Sequence, residues 1–358
     1  MKRALILAGG TGGHVFPALA VAHILKQEGF EVIWVGTRKG IEARVVPAAG
    51  FQIEWITIQG LRRQSLLDWV RLPLRLAYAM WQAFRIIRRV RPHVALAMGG
   101  FASGPGALVA ALVRVPLVIH EQNAVAGFTN RWLALVADEV LCGFPNAFGH
   151  LPGTKHVGNP VRPEIFALPH PDIRSGPDGR RLRLLIVGGS QGAAIFNKTI
   201  PAAISLLDPA LRPEIWHQTG RLQAVQTENA YRHIPLDVRV TPFIDDMAAA
   251  YAWADLVVCR AGAMTVAELS AAGIAAVLVP FPQAADDHQT ANARFLADRD
   301  AAVLLPQEQC TPQRLAEVLQ GFCQNPQALE RMARQARCCG APDATGRVAQ
   351  YCVEAARA

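Results

Sequence analysis

The 358-residue sequence lacks several features that define well-known protein classes. No uncharged apolar run reaches the roughly 18 residues that a membrane-spanning helix needs. Seven cysteines are present, but none forms a CxxC pair, which argues against a metal site and fits free thiols in a reducing cytoplasm. Neither glycine-rich turn is followed by GKS or GKT, so the sequence has no P-loop and does not indicate ATP hydrolysis.

A complete dinucleotide-binding fingerprint is also absent. That fingerprint requires GxGxxG and an acid at the end of the second strand, where it binds a ribose hydroxyl. Here Gly10-Thr11-Gly12 is followed by Gly13-His14-Val15, so the third glycine is missing, and the second strand leads into Gly36-Thr37-Arg38-Lys39. The sequence therefore disfavours an enzyme that transfers hydride to a nicotinamide cofactor.

The sequence does contain a strand–glycine–helix pattern that occurs twice. Residues 4–14 form an apolar run that leads into a loop with four glycines, and residues 184–193 repeat the pattern. Glycines allow backbone N–H groups to converge, and the N-terminus of the following helix carries partial positive charge. Each turn is suited to an anion or a polar ligand, and the repetition predicts two halves with a ligand between them.

Apolar runs alternate with helical patterns in both halves, which predicts an α/β fold with parallel sheets. Six candidate strands lie in each half: Arg3–Leu7, Glu31–Val35, Gln52–Ile56, Val94–Met98, Pro116–His120 and Glu139–Cys142, then Leu182–Val187, Glu214–Gln218, Val238–Val240, Leu256–Cys259, Ala276–Val279 and Ala301–Leu304. Prolines interrupt the alternation at Gly158–Pro163, so we place the domain boundary at Arg162. The predicted domains are 1–162 and 163–342, followed by a helix over Asp343–Ala356.

The densest motif lies in the second half, at residues 255–269, where a strand, a turn of small residues and a helix start follow one another. Thr265 and the backbone amides near it can hold a diphosphate at the helix N-terminus. Glu268, one turn further, has two interpretations that the motif alone leaves open. It either complements the helix dipole or accepts hydrogen bonds from the two hydroxyls of a ribose.

Eight motifs stand in the order in which one family carries them: Gly9–His14, Gly99–Pro105, His120–Asn123, Gly158–Arg162, Gly188–Gly192, Phe243–Met247, Cys259–Glu268 and Asp286–Gln289. Over almost its whole length the chain resembles the bacterial N-acetylglucosaminyltransferases of peptidoglycan synthesis. The resemblance implies a GT-B glycosyltransferase fold, with two Rossmann-like domains whose parallel sheets face a cleft and a terminal segment, 343–358, that returns to the first domain. One departure is Gln283, where many members are expected to have histidine.

The resemblance also implies a reaction and its location. N-acetylglucosamine would move from UDP-N-acetylglucosamine, with inversion, to the C4 hydroxyl of the N-acetylmuramoyl unit of undecaprenyl-pyrophosphoryl lipid I, forming lipid II. The protein would act as a peripheral enzyme at the cytoplasmic face of the bacterial inner membrane. No cofactor and no metal is expected, because helix N-termini and an arginine can stabilise the departing diphosphate in this fold.

Site residues follow from the resemblance, position by position. The donor-binding set comprises Thr11, Gly12, Gly13 and Asn123 near the sugar, Arg162 and Ser190 near the phosphates, Ile244 at the uracil, Ala263, Met264, Thr265, Val266 and Ala267 around the diphosphate, Glu268 on the ribose, and Gln289 on the sugar hydroxyls. We predict His14 and Glu268 as the catalytic residues. His14 is the first candidate for the general base because it ends the first glycine loop and histidine titrates in a suitable range. A histidine that only braces the loop is the alternative, and Glu121 is the reserve candidate.

The stretch Leu61–Arg91 contains eight arginines and a single acid, Asp68, within a chain whose net charge is +8. Apolar residues at helical spacing and aromatic side chains accompany these arginines, which is typical of an interfacial helix that meets anionic lipid of the inner membrane. An ordinary packed helix with a solvated basic face is the alternative. Nucleic acid is not expected as a partner, because no recognised binding module accompanies the arginines.

Two further functions remain open on the sequence alone. A UDP-N-acetylglucosamine 2-epimerase has the same double-Rossmann build and needs no lipid acceptor. A nucleotide-sugar sensor would bind the donor without turnover. The basic aromatic stretch and the eight motifs favour the transferase over both.

Overall fold

The computed structural model describes residues 1–58, 66–173, 180–189 and 192–357, and it describes the backbone but not the side chains of 66–71. Two compact units are present. The first comprises Met1–Arg162 together with Pro342–Ala358, and the second comprises Pro163–Ala341. Each unit contains one parallel sheet with helices packed on it, so the predicted α/β fold with two Rossmann-like domains is confirmed.

The first sheet has seven strands in the order β3-β2-β1-β4-β5-β6-β7, all parallel. They are β1 (Arg3–Leu7), β2 (Glu31–Gly36), β3 (Gln52–Trp55), β4 (Val94–Ala97), β5 (Leu117–Glu121), β6 (Glu139–Cys142) and β7 (Thr154–His156). The central strands are apolar throughout because both faces of a parallel sheet are covered. The strand order reverses between β1 and β4, which is where ligands bind in open sheets of this kind.

The helices of the first unit include α1 (Gly12–Gln27), α2 (Glu42–Ala48), α3 (Leu66–Val90), α4 (Ser103–Leu112) and α5 (Phe128–Leu133). The C-terminal helix of the chain also belongs to this unit. These helices pack on the two faces of the sheet through two hydrophobic clusters. One cluster joins α1 to one face of the sheet, and the other contains buried residues of α3, α4 and α5 on the opposite face. The three helices α3, α4 and α5 therefore form one layer, in which α3 packs on α4 and α4 on α5.

The second sheet has six parallel strands in the order β10-β9-β8-β11-β12-β13. They are β8 (Arg183–Val187), β9 (Glu214–Gln218), β10 (Val238–Thr241), β11 (Leu256–Cys259), β12 (Ala275–Leu278) and β13 (Val303–Leu304). Here the order reverses between β8 and β11. The second glycine loop and the 260–265 turn follow those two strands, so both motifs lie at the reversal.

The helices of the second unit begin with the short α6 (Pro163–Phe166) and continue with α7 (Ala194–Leu206), α8 (Ala224–Tyr231), α9 (Met247–Trp253), α10 (Ala263–Ala272), α11 (His288–Ala297), α12 (Pro312–Gln324) and α13 (Pro326–Cys338). The terminal α14 (Ala344–Ala355) belongs to the first unit. Its residues Val348, Ala349 and Cys352 are buried in the same cluster as α1, and the Lys2 ammonium donates a hydrogen bond to the Ala356 carbonyl over 3.1 Å.

All twelve predicted strands are present within one or two residues of their predicted bounds. The prediction missed one strand, β7 (Thr154–His156), which pairs with β6 at the sheet edge. Its three residues are polar and only partly buried, so they form neither an apolar run nor an alternation that a sequence pattern can reveal.

Candidate functional site

The first glycine loop connects β1 to α1 at the reversal of the first sheet. Gly10 has φ +91°, a backbone conformation that side-chain-bearing residues rarely adopt. Thr11 is the N-cap of α1, but its side chain caps no backbone amide; its hydroxyl lies 3.0 Å from His14 Nδ1. The predicted residues Thr11, Gly12, Gly13 and His14 are therefore brought together on the first turn of one helix.

A fully buried carboxylate, Glu42, lies beneath this loop. Its side chain accepts hydrogen bonds from the Gly10 amide at 2.9 Å and from both the amide and the hydroxyl of Thr37, at 2.9 and 2.8 Å. A Cβ added at Gly9, Gly36 or Gly40 would lie within 2.6 Å of Glu42, so the glycines leave room for the acid. Because Glu42 carries negative charge and occupies the Gly10 amide, this loop is poorly suited to an anion.

The His14 ring lies over the loop that follows β4 and begins the Gly99–Pro105 motif. Gly99 and Gly100 have φ +86° and +83°, and a Cβ on Gly99 would lie 3.1 Å from His14 Cδ2. A Cβ on Gly100 would meet the Gly9 carbonyl oxygen. The Gly99–Gly100 pair therefore has to be glycine for the first loop and His14 to approach so closely, and both loops contribute to one site.

Glu121 positions the loop that carries Asn123. Its Oε1 accepts from the Asn123 amide at 2.9 Å and from Asn123 Nδ2 at 3.0 Å, while its Oε2 accepts from the Gly127 amide at 3.1 Å and from Asn130 Nδ2 at 2.9 Å. Four donors use the acceptor capacity of a carboxylate that is itself 3% exposed. The structure thus gives Glu121 a positioning role and removes the ground for treating it as the reserve base.

His120, the neighbour of Glu121, is a buried neutral histidine. Its Nε2 lies 2.9 Å from the Gly158 carbonyl and its Nδ1 lies 3.1 Å from Gln122 Nε2, so Nε2 carries the proton and Nδ1 accepts. Burial lowers the pKa of His120 to about 4. Asn159 donates to the Gln122 carbonyl at 2.9 Å, and this network holds the segment that ends at Arg162.

The second glycine loop is held by a neutral residue. Gln218 accepts from the Gly188 amide at 3.1 Å and donates to the carbonyls of Gly189 and Pro242, at 2.9 and 3.2 Å. It thereby connects the glycine loop to the segment that carries Ile244, whose side chain is buried. Ser190, predicted to bind phosphate, and its neighbour Gln191 lie outside the described residues.

The α10 N-terminus faces the carboxyl-end edge of the second sheet. Gly262 is the N-cap and no side chain caps the helix, so the first-turn amides of Ala263, Met264 and Thr265 remain available to an anion. Glu268 lies one turn further and accepts a hydrogen bond from the Tyr251 hydroxyl at 3.1 Å. Val266 is buried in the core, so it can contribute only its backbone to a site.

The loop that follows β12 brings one more predicted residue to this edge. Gln289, the second residue of α11, accepts from the Phe281 amide at 2.9 Å, which orients its side chain and leaves Nε2 to donate elsewhere. Asn292, one turn on and fully buried, donates to the Ala261 carbonyl at 3.1 Å and so links α11 to the α10 turn. Gln283 is exposed, and nothing in the structure assigns it a role.

The sequence-based prediction assigned no role to four residues that contact the loops described above: Glu42, Gln218, Asn292 and Arg260. Arg260 directly follows β11, and its guanidinium donates to the carbonyls of Val279 and Pro280, both at 3.1 Å. Its position after a strand end was a readable signal. No pattern marks the other three, because each contacts a loop that is distant in sequence.

Matches to known families agree with this geometry. The glycosyltransferase family 28 N-terminal domain matches residues 4–142, and the glycosyltransferase family 28 C-terminal domain matches residues 183–348. The first match lies within the first structural unit, and the second covers most of the second unit and ends in residues 342–348, which belong to the first.

Relatives match the chain from end to end. A protein of Alkalilimnicola ehrlichii named UDP-N-acetylglucosamine–N-acetylmuramyl-(pentapeptide) pyrophosphoryl-undecaprenol N-acetylglucosamine transferase is 53% identical over 355 residues, which cover 99% of each chain. A protein of Nitrosococcus oceani with the same name is 52% identical over 354 residues, again covering 99% of each.

Solved structures give the same result. The crystal structure of Acinetobacter baumannii MurG is 42% identical, covers 99% of this chain and 100% of its own, and has a TM-score of 0.86. A UDP-GlcNAc 2-epimerase from Neisseria meningitidis has a TM-score of 0.69 at 12% identity, which shows a shared fold alone. The GT-B fold is thus confirmed, and the chain belongs to glycosyltransferase family 28, among the UDP-N-acetylglucosamine–N-acetylmuramyl-(pentapeptide) pyrophosphoryl-undecaprenol N-acetylglucosamine transferases.

Proposed function

We propose that this protein transfers N-acetylglucosamine from UDP-N-acetylglucosamine to undecaprenyl-pyrophosphoryl-N-acetylmuramoyl-pentapeptide, converting lipid I to lipid II. The observation that carries the proposal is the 53% identity to a transferase of that name over 99% of both chains. Identity on that scale spans both units, so it includes the donor-side and the acceptor-side elements together. The acceptor atom is the C4 hydroxyl of the muramoyl sugar, and the anomeric centre inverts.

The second unit is the donor side, and its electrostatics support this assignment. Of its two elements at the sheet reversal, the described part of the second glycine loop is held by the neutral Gln218, and the α10 N-terminus has no side-chain cap. The first glycine loop has the buried carboxylate of Glu42 beneath it instead. A diphosphate is therefore more stable beside Thr265 than beside Thr11, although the two glycine loops look alike in sequence.

The remaining donor contacts are assigned from the family resemblance, and the contacts of Glu268 and Gln289 support them. Glu268 accepts from the ribose hydroxyls while Tyr251 holds its other oxygen, and an acid in this place needs hydroxyl partners because a diphosphate alone would repel it. The backbone at Ile244 binds the uracil, and Gln289 Nε2 donates to the sugar hydroxyls. In this proposal Ser190 and Arg162 are assigned to the phosphates and Asn123 to the donor sugar.

His14 is the general base in this proposal. A base must present an unprotonated nitrogen to the acceptor hydroxyl. If Nδ1–H donates to Thr11 Oγ1, which lies 3.0 Å away, the lone pair is left on Nε2, and the Gly99–Gly100 backbone fixes the ring plane. In this proposal Thr11 selects the basic tautomer, as second partners of catalytic histidines do. The departing UDP is stabilised by the α10 N-terminus.

Membrane contact is proposed for the α3–α4–α5 layer. None of the helices in the described residues is long and apolar enough to cross a bilayer. Exposed apolar side chains nevertheless cover the outer side of this layer: Leu74, Leu76, Tyr78, Trp81 and Phe84 from α3, Leu112 from α4, Phe128 and Trp132 from α5, and Leu135 and Val136 just after it. Tyr78 stacks on Trp81, and the Arg85 guanidinium lies 5.0 Å from the Trp81 ring centre.

The charge of this layer matches an anionic bilayer. Residues 72–137 contain seven arginines and one acid, and that acid, Glu121, is buried. Arginines interleaved with aromatic and aliphatic side chains favour the interface between headgroups and acyl chains. Residues 61–65 of the stretch Leu61–Arg91 lie outside the described residues, as do the side chains of 66–71, so the argument rests on Leu74 onward.

Turnover of purified protein with labelled UDP-N-acetylglucosamine tests the reaction. We expect labelled lipid II and UDP only when a lipid I analogue with a shortened polyprenyl chain is added. Release of UDP or of a C2 epimer without the acceptor would favour the epimerase, and tight donor binding without any product would favour a sensor. His14→Ala should keep donor affinity within about threefold and lower kcat at least about a hundredfold, the scale of general base catalysis. Near-normal turnover in that variant would exclude His14 as the base.

Flotation with vesicles tests the membrane surface. We expect the wild type to float with vesicles that contain anionic lipid and to remain below with neutral ones. Trp81→Ser should weaken flotation, whereas Leu222→Ser, which alters a side chain 97% exposed in the second unit, should not. Equal flotation with both vesicle types would contradict an electrostatic contribution.

A further inference from the structure

Arg260 is a positive charge without an anionic partner in the described part of the chain. Its guanidinium donates to the carbonyls of Val279 and Pro280 at 3.1 Å each and to Gln307 Oε1 at 2.6 Å. All three acceptors are neutral, and no described carboxylate forms an ion pair with this side chain. Arg180 differs from Arg260 in this respect, because it forms a bidentate ion pair with Asp255.

The surroundings of Arg260 compensate its charge only in part. The guanidinium lies between two aromatic rings, 5.2 Å from the Phe196 centre and 5.3 Å from the Phe281 centre, and the residue is half-buried. Burial lowers the pKa of Arg260, yet an arginine stays protonated at neutral pH. The two aromatic rings and the neutral acceptors offset part of the desolvation cost, but they supply no negative charge, so a nearby anion would stabilise the guanidinium further.

Three donor-side elements meet at Arg260. The residue itself directly follows β11 and stands two positions before the α10 N-cap, Gly262. Phe196 belongs to the first turn of α7, the helix after the second glycine loop. Phe281 belongs to the loop that orients Gln289 through its backbone amide. The positive charge is therefore placed at the reversal of the second sheet, among the elements that would surround a nucleoside diphosphate.

We propose that Arg260 supplies the buried positive charge that makes this unit prefer a nucleoside diphosphate to an uncharged nucleoside and that stabilises the charge on the departing UDP. The inference rests on the proposed function, because it assumes that the diphosphate lies at the α10 N-terminus. Three of its five guanidinium N–H groups are used by Val279, Pro280 and Gln307, so the proposal assigns Arg260 an effect through its field and requires no direct contact. A field from a low-dielectric position is strong and costs no rearrangement during the reaction.

A purely structural role makes a different prediction. If Arg260 only braces the ends of β12 and β13, its loss would distort the site and weaken every ligand of that site alike. If its charge matters, its loss would weaken ligands in proportion to their negative charge. Comparison of uridine, UMP and UDP therefore separates the two roles, because these ligands share the base and the ribose and differ in phosphate charge.

The experiment measures the affinity of the three ligands for the full chain by competition with a fluorescent UDP, which ranks weak ligands as well. Arg260→Met retains an unbranched stem between Phe196 and Phe281 and removes the charge. We expect it to lower UDP affinity about tenfold, UMP affinity by less, and uridine affinity by less than twofold, where tenfold corresponds to about 1.4 kcal/mol. Arg260→Lys should restore most of the UDP affinity. Arg239→Met, at an exposed arginine that stacks on Trp216, is the matched control and should leave all three unchanged.

Steady-state turnover provides a second test of the role of the Arg260 charge. Because negative charge grows on the diphosphate as the sugar departs, Arg260→Met should lower kcat by a larger factor than it raises the donor KM. Equal loss of affinity for uridine and UDP, or no loss for either, would overturn the inference and leave Arg260 a structural brace. Failure of the wild type to bind any uridine nucleotide would contradict the proposed function instead, so the two failures are distinguishable.

Discussion

The stability of the second unit should fall as the pH drops from 7 to 5, and His217 is the reason. This β9 histidine is fully buried, its Nδ1 lies 2.9 Å from the Tyr231 hydroxyl, and its Nε2 has no partner among the described residues. Burial lowers the pKa of His217 from 6.5 to about 3. A protonated ring would place an N–H and a positive charge against apolar core, so the folded state keeps His217 neutral.

The direction follows from proton linkage. The folded pKa lies below the unfolded value, so the unfolded chain binds more protons at any pH between them. The stabilisation is complete above the unfolded pKa and is lost as pH falls from 6.5 toward 3. Between pH 7 and pH 5, His217 alone should cost about 2 kcal/mol, which is a large part of the margin of an ordinary domain.

His120 should contribute less than its pKa of about 4 suggests. Protonation would set a second N–H against Gln122 Nε2, but the side-chain oxygen of Gln122, Oε1, is buried without a hydrogen-bond partner among the described residues. Rotation of that amide by half a turn would provide an acceptor, and no such rescue exists for His217. The larger effect is therefore expected in the second unit.

Urea unfolding monitored by calorimetry and tryptophan fluorescence at pH 7 and pH 5 measures the effect. His217→Gln keeps a polar group for Tyr231 but cannot titrate, so the variant should be less stable at pH 7 and lose about 2 kcal/mol less than wild type between the two pH values. His233→Gln, at an exposed histidine in the same unit, is the control. An equal pH dependence in wild type and His217→Gln would refute the reasoning.

Three other predictions concern the site. Glu268→Gln should weaken UDP about tenfold or more but 2′-deoxy-UDP much less in calorimetric titrations, because the lost charge-assisted bonds are those to ribose hydroxyls; equal loss for both ligands would contradict the ribose contact. Gly99→Ala should lower kcat with little effect on donor KM in steady-state assays, since its Cβ would displace the His14 ring and φ +86° strains alanine; unchanged kcat would refute this. Glu42→Gln should lower the free energy of unfolding by about 1–3 kcal/mol, because the amide nitrogen would replace one acceptor oxygen and face either the Gly10 donor or the two Thr37 donors; denaturation at pH 7 that matches wild type would exclude it.

Local patterns predicted the secondary structure because each central strand is buried on both faces. Runs such as Leu184–Val187 and Val257–Cys259 are continuous apolar stretches that end in glycine or polar turns, and such boundaries can be read directly. The edge strand β7 was not predicted, because a strand at the edge of a sheet does not require apolar residues. The positions of Thr265 and Glu268 at a helix start could also be predicted from the sequence, because small residues after a strand indicate a turn.

The electrostatic difference between the two glycine loops could not be predicted from the sequence. Both have the same strand–glycine–helix pattern, so the sequence presents them as equivalent. The chain folds Glu42 beneath the first loop, whereas it folds Gln218 and Arg260 beside the elements of the second. Glu42 stands 32 residues from its partner Gly10, and Gln218 stands 30 residues from Gly188, so no local spacing predicts either contact.

The sequence by itself determined the alternation of strands and helices, the family, and the residue types at each turn, because these depend on neighbours along the chain. Only the tertiary structure decided which charges lie beneath which loop, that Glu121 is fully engaged by its four donors, and that His14 rests on Gly99 and Gly100. The physical reason is that strand order sets those neighbours. Loops after β1 and β4, and after β8 and β11, meet at the reversals of the two sheets, although they are far apart in sequence.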